Sequence, residues 1–229
     1  MKRLLLASAL AACASPAPAP ARDPGAPAPL QVAFLVRDGV YGTELTAPWD
    51  VFHHTVFHAQ PGMRVFSVAP DALPVTTFEG LRLLPDHTFD TSPAIDVLVV
   101  PSCEHSMDTD LEDERMIDWV RRTAESADWV LSLCDGAFVL AQAGLLEGRV
   151  CTTFPSDRAR LHEMFEGLEV RDVSFVHDGK VITSVGGAPS FDAALYLCEL
   201  LYGERVARGI AAGLVIDWDL DQVEHLVVR

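Results

Sequence analysis

The stretch WVLSLCDGAFVLAQAG, Trp129 to Gly144, decides the fold. Its first five residues, Trp129 to Leu133, form an apolar run of the length expected for a strand buried on both faces. Gly136 to Ala143 reads as a helix and meets Gly144, a residue suited to the left-handed position that ends helices. Between the two, Cys134 and Asp135 leave room only for a sharp strand-to-helix turn. Such an elbow lifts a side chain from the carboxyl end of a strand toward a helix N-terminus, where partial positive charge favours an anion. Cys134 is therefore expected to be a reactive thiol with a lowered pKa.

The same alternation continues outward. Leu30 to Val36, Arg64 to Ala69 and Ile95 to Val100 are apolar, β-branched runs that predict strands. Glu44 to His54 predicts a helix with Thr43 as N-cap, and Pro48 should kink it because its nitrogen cannot bond to the Glu44 carbonyl one turn back. Asp110 to Ser126 predicts an amphipathic helix with Leu111, Met116, Trp119 and Val120 near one face. Arg149 to Thr153 predicts a further strand. Phe175 to Ser184 predicts a hairpin turning at Asp178-Gly179, and Ser190 to Tyr202 a helix ending at Gly203. Strands alternating with helices imply an α/β fold, a mostly parallel sheet sandwiched between helices, in one domain over residues 30–213. Residues 214–229 show no clear period and are expected to add a short peripheral C-terminal extension.

The N-terminus carries a different signal. Lys2 and Arg3 precede a short apolar run and the quartet Leu10-Ala11-Ala12-Cys13. That order predicts a signal peptide over residues 1–12. The quartet resembles a bacterial lipobox, which implies lipidation of Cys13, a membrane partner through the lipid and, with Ala14 next, the outer membrane facing the periplasm. Residues 14–29 are rich in Pro and Ala and predict an extended tether. The formal charge of −16 repels phosphate backbones, so nucleic acid is not the expected partner.

Four segments together resemble the ThiJ/PfpI superfamily, the class I glutamine-amidotransferase-like domains with a flavodoxin-like sheet. The elbow segment Leu133 to Gly148 is the first. Asp38-Gly39 with Glu44 and Pro48 to Phe52 resembles the family's first loop and helix. Val99-Val100-Pro101 resembles the strand end before its oxyanion loop, and Thr183 to Leu197 its Thr-Ser-x-Gly segment. The resemblance implies that Cys134 is the nucleophile, that Glu44 is a protonated acid bonded to the sulfur, that Gly186-Gly187 lines the site, and that copies pair as a homodimer. An ionised Glu44 would repel a thiolate, which agrees with the proton residing on the carboxyl.

The sequence departs from the family pattern twice. Phe154 follows Thr152-Thr153 where members often carry a histidine, so a Cys–His dyad lacks its base there. Ser102-Cys103 replaces two glycines. Two readings stay open. In the first, an enzyme acts on a small molecule by hydratase, glyoxalase-like or amidase-like chemistry. Cys134 attacks, Glu44 protonates, and the N–H groups of Asp135 and Cys103 steady developing negative charge. In the second, Cys103 and Cys134 bind copper(I), with Glu44, His105 or Met107 nearby, or form a redox pair; thiolate and thioether ligands suit that soft ion.

Overall fold

The computed structural model describes residues 28–228. The signal segment, Cys13 and most of the tether lie outside them. In chain order the strands are β1 (Gln31–Leu35), β2 (Arg64–Ala69), β3 (Val75–Thr76), β4 (Arg82–Leu83), β5 (His87–Thr88), β6 (Val97–Val100), β7 (Trp129–Leu133), β8 (Val150–Cys151), β9 (Glu169–Val170), β10 (Phe175–Asp178), β11 (Val181–Ser184) and β12 (His225–Val228). The helices are α1 (Gly42–His58), α2 (Glu114–Ser126), α3 (Gly136–Gln142), α4 (Arg158–Met164), α5 (Ser190–Tyr202) and α6 (Glu204–Gly213).

Eight strands make one sheet in the order β12-β10-β11-β7-β6-β1-β2-β5. Every pairing in it is parallel except β10 with β11, the hairpin turning at Asp178-Gly179. The period-2 geometry of a strand sends neighbouring side chains to opposite faces, and here both faces are dry. Val32, Phe34, Val97, Val99 and Leu131 pack toward α1, α5 and α6. Ala33, Leu35, Leu98, Val100 and Val130 pack toward α2, α3 and α4. Each such Val or Leu side chain contributes roughly 1.5–3 kcal/mol by leaving water, and this two-sided burial sets the architecture.

Some boundaries differ from the sequence expectation for local reasons. Helix α1 starts at Gly42, with Tyr41 rather than Thr43 as N-cap, and runs on through Pro48. Its first N–H, on Gly42, donates to both carboxylate oxygens of Glu79, at 3.0 and 2.9 Å. That cap comes from the β3–β4 turn. Residues Thr109–Glu112 form a 3-10 turn, and α2 begins after Asp113, whose carboxylate accepts the Met116 N–H at 3.0 Å. The expected strand at Arg149–Thr153 is reduced to β8, which pairs with β9 in a separate small ladder. The tail does more than lie on the periphery, because β12 pairs with β10 as the edge strand of the main sheet.

The elbow depends on one close approach. Gly136 opens α3 directly against the end of β6, and a Cβ there would lie 2.1 Å from the Val100 carbonyl oxygen. No side chain can give way, since the obstruction is backbone. Gly136→Ala should therefore destabilise the fold by about 3 kcal/mol, read from urea unfolding. Gly144→Ala, where open space leaves only a left-handed φ of +77° at stake, should cost about 1 kcal/mol in the same assay.

Candidate active site

Cys134 leaves β7 with φ +53°, a left-handed conformation that a side-chain-bearing residue rarely adopts. Three contacts hold it there. Its N–H donates to the Ser184 carbonyl at 2.9 Å, and its own carbonyl accepts the Thr153 hydroxyl at 2.9 Å. The third is an absence of bulk at Gly186, where a Cβ would fall 2.3 Å from the Cys134 Cβ. The glycine pair expected to line the site does so.

Glu44 comes from the first turn of α1 and is buried with the cysteine, at 5% and 7% exposure. Its Oε2 accepts the Ser102 N–H at 3.1 Å and also the Ser102 hydroxyl. The Gly187 backbone and the Cys134 thiol lie near enough to this carboxyl to favour its charged form. Ser102 is fully buried, and its hydroxyl donates to Glu44. The structure thus brings Cys134, Glu44 and Asp135 together as the sequence implied. It adds Ser102, which the sequence marked only as a departure from a pattern.

The electrostatics correct one expectation. The elbow was expected to lower the thiol pKa, but burial pushes the Cys134 thiol well above its ordinary range, and the charges of Glu44 and Asp135 push the same way. The Ser102 hydroxyl and the Asp135 N–H only partly offset this. Desolvation outweighs the partial charge of the short helix α3. Burial likewise raises Glu44, against the pull of its hydrogen bonds to Ser102 and Cys134. Asp135 is pushed up to about 6 by burial and by Asp157, while the Thr153 hydroxyl bonds to its Oδ1 at 3.0 Å. Both shifts, and the Glu44 charge acting on the thiol, oppose ionising Glu44 and Cys134 together.

Other expected site residues sit elsewhere. The Cys103 N–H donates to Ser106 Oγ at 2.8 Å and is not free to serve as an oxyanion donor. The four described cysteines are all unbridged. His105 is exposed with its Nδ1 3.3 Å from Asp108 Oδ1, and Met107 packs toward the α2–α3 side of the sheet. Among the described residues no group of three or more His, Cys, Asp or Glu side chains converges as metal ligands would. Phe154, in the position without a histidine, is partly exposed beside Thr153. Tyr41 borders the site and stacks on Phe78 with ring centroids 4.5 Å apart. Nothing in the local sequence around Tyr41 or Phe78 marks that pairing.

Comparison with known proteins agrees with this geometry. The isonitrile hydratase of Pseudomonas putida is 35% identical over 181 residues, covering 78% of this chain and 75% of that protein. Protein DJ-1alpha of Drosophila melanogaster is 26% identical over 148 residues, covering 63% and 67%. The crystal structure of a ThiJ/PfpI family protein from Pseudomonas syringae superposes with a TM-score of 0.75 at 26% identity, over 89% of this chain and 84% of that one. Drosophila melanogaster DJ-1beta shares the fold, with a TM-score of 0.72 at 22% identity over 83% of this chain and 100% of that one. The sequence model of the DJ-1/PfpI family matches residues 30–199, and with its elbow cysteine and buried acid in place the chain belongs to that family.

Proposed function

We propose that this chain hydrates a small electrophile through Cys134, and that an isonitrile is the substrate class. One observation carries the reading: two backbone donors of the loop after β6 are already engaged, the Ser102 N–H by Glu44 and the Cys103 N–H by Ser106. Attack on an amide, ester or aldehyde builds negative charge on oxygen and needs such donors. Attack on an isonitrile builds electron density on carbon, which needs a proton instead. A buried acid in contact with the sulfur supplies one. The relation to a Pseudomonas putida isonitrile hydratase supports the same choice.

The steps balance around the shared proton. In the form with Glu44 protonated and Cys134 as thiolate, sulfur bonds to the terminal isonitrile carbon and Glu44 delivers its proton to that carbon. The product is an S-bound thioimidate. Water then adds across its C=N bond, its proton passing through Glu44 to nitrogen. As the C–S bond breaks, the added hydroxyl returns a proton to Glu44, thiolate leaves, and an N-substituted formamide is released. Asp135 contributes its N–H to the sulfur, and Thr153 holds the elbow that carries it.

The reading places this chemistry in the cell envelope, on the signal segment and a lipid at Cys13. Cys13→Ser should move the protein from the membrane fraction to the soluble fraction after expression in a bacterium, and unchanged fractionation would remove the anchor.

Two measurements test the chemistry. Formamide formation from an aliphatic isonitrile, followed by NMR, should be lost in Cys134→Ala, and turnover surviving that change would end the proposal. In the intact pair, kcat/KM should rise with pH as the first of the two protons leaves. Burial raises that step above the ordinary carboxylate range. Glu44→Gln removes the carboxyl, so the remaining limb should follow the buried thiol alone and move into the alkaline range. At pH 7 the loss should be roughly 10²–10⁴-fold.

A further inference from the structure

We infer that the C-terminal half of α1 carries a binding site for a late first-row divalent cation, formed by His54 and His58 over Gly213 of α6. The site is separate from the thiol and needs nothing from the hydratase reading. The segment His54-Thr55-Val56-Phe57-His58 lies wholly within α1 and sets two imidazoles four residues apart. That spacing puts them on one face of the helix, one turn apart, where two ring nitrogens can reach one ion. Glu44 sits in the first turn of the same helix, roughly 15 Å away along its axis at about 1.5 Å per residue.

Helix α6 supplies the room. A Cβ at Gly209 would lie 2.8 Å from His58 Nδ1, and one at Gly213 would lie 3.9 Å from His58 Nε2. The His58 ring therefore lies along α6 with its Nε2 end toward Gly213. His54 Nε2 is also 3.9 Å from that same Gly213 position, so both Nε2 atoms border one small space over one glycine. The tautomer of His54 suits a ligand. Its Nδ1 is 3.0 Å from the Asp50 carbonyl oxygen and 3.0 Å from Asp50 Oδ1. A carbonyl only accepts, so in the neutral ring Nδ1 bears the hydrogen and Nε2 keeps its lone pair. A carboxylate behind a histidine in this way orients the ring and raises its basicity toward a metal. Both rings are partly exposed, so a hydrated ion has access to them. Imidazole nitrogen suits nickel(II), copper(II) and zinc(II), whereas calcium and magnesium take oxygen. Among the described residues no third His, Cys, Asp or Glu joins the pair, so water fills the remaining positions and the ion is exchangeable. The ligands are nitrogen alone, which separates this site from a copper(I) site built on the two thiols.

Equilibrium dialysis of the full chain, carrying no affinity tag, against nickel(II) at neutral pH tests the site, with bound metal read by elemental analysis. The native chain should bind one ion saturably. His54→Gln and His58→Gln should each weaken that binding roughly 100-fold or more, because each removes a ligand. Asp50→Ala keeps both imidazoles and loses only the carboxylate behind His54, so it should weaken binding about tenfold. His53→Gln is the control. His53 is exposed and adjacent to His54, hence on another face of the helix, and its loss should leave the affinity unchanged. Absence of saturable binding by the native chain would overturn the site. So would an affinity that survives both His54→Gln and His58→Gln, or one that falls as far in His53→Gln, because the ion would then be held by sulfur or by scattered imidazoles.

Discussion

At Cys134 the backbone is held at φ +53°, which costs a residue with a side chain about 1–3 kcal/mol and persists only where neighbours over-determine it. The neighbours come from distant parts of the chain. Ser184 ends β11, Thr153 follows β8, and Gly186 leaves the space the cysteine Cβ occupies. Ser184 and Gly186 are placed by the sheet, because β7 lies between β6 and β11, and Thr153 is tied to it by its neighbour Thr152, whose N–H donates to Thr183 Oγ1 on β11 at 2.9 Å. The site is therefore as rigid as the sheet, and the strain at one residue is offset by the dry packing on both of its faces.

The second constraint is desolvation. Glu44, Ser102 and Cys134 are packed with little exposure to solvent. An exposed carboxylate and an exposed thiol would titrate separately, one acidic and one mildly alkaline. Buried together, both are raised by desolvation, the Glu44 charge opposes ionisation of the thiol, and the Ser102 donors favour the Glu44 carboxylate. The Ser102 and Cys103 N–H groups, held by Glu44 and Ser106, are not free to stabilise charge on a substrate oxygen.

Much of the architecture was legible in the sequence. Continuous apolar runs such as Val97 to Val100 and Val130 to Leu133 can satisfy their side chains only inside a sheet covered on both faces, and helical segments lie between them. Cys134 and Glu44 were legible too, the first from its place between strand and helix and the second from a family likeness. Less was visible where the partner is remote. The N-cap of α1 is a carboxylate from Glu79, and no local signal near Gly42 announces it. The tail was short and weakly patterned, and it becomes a strand because β10 offers an open edge.

The sequence by itself determined the order of elements, the two-faced core and the position of the thiol at an elbow, because these follow from hydrophobic period and turn chemistry along a few neighbouring residues. Only the tertiary structure decided the character of that thiol. Its pKa rises because the surrounding fold removes water, and Glu44 is held by Ser102 because the loop after β6 lies against α1. It also decided against the second cysteine as a charge-stabilising donor, since whether the Cys103 N–H is available depends on where Ser106 sits. Solvent exclusion and donor direction are properties of packed surfaces, and a linear chain does not display them.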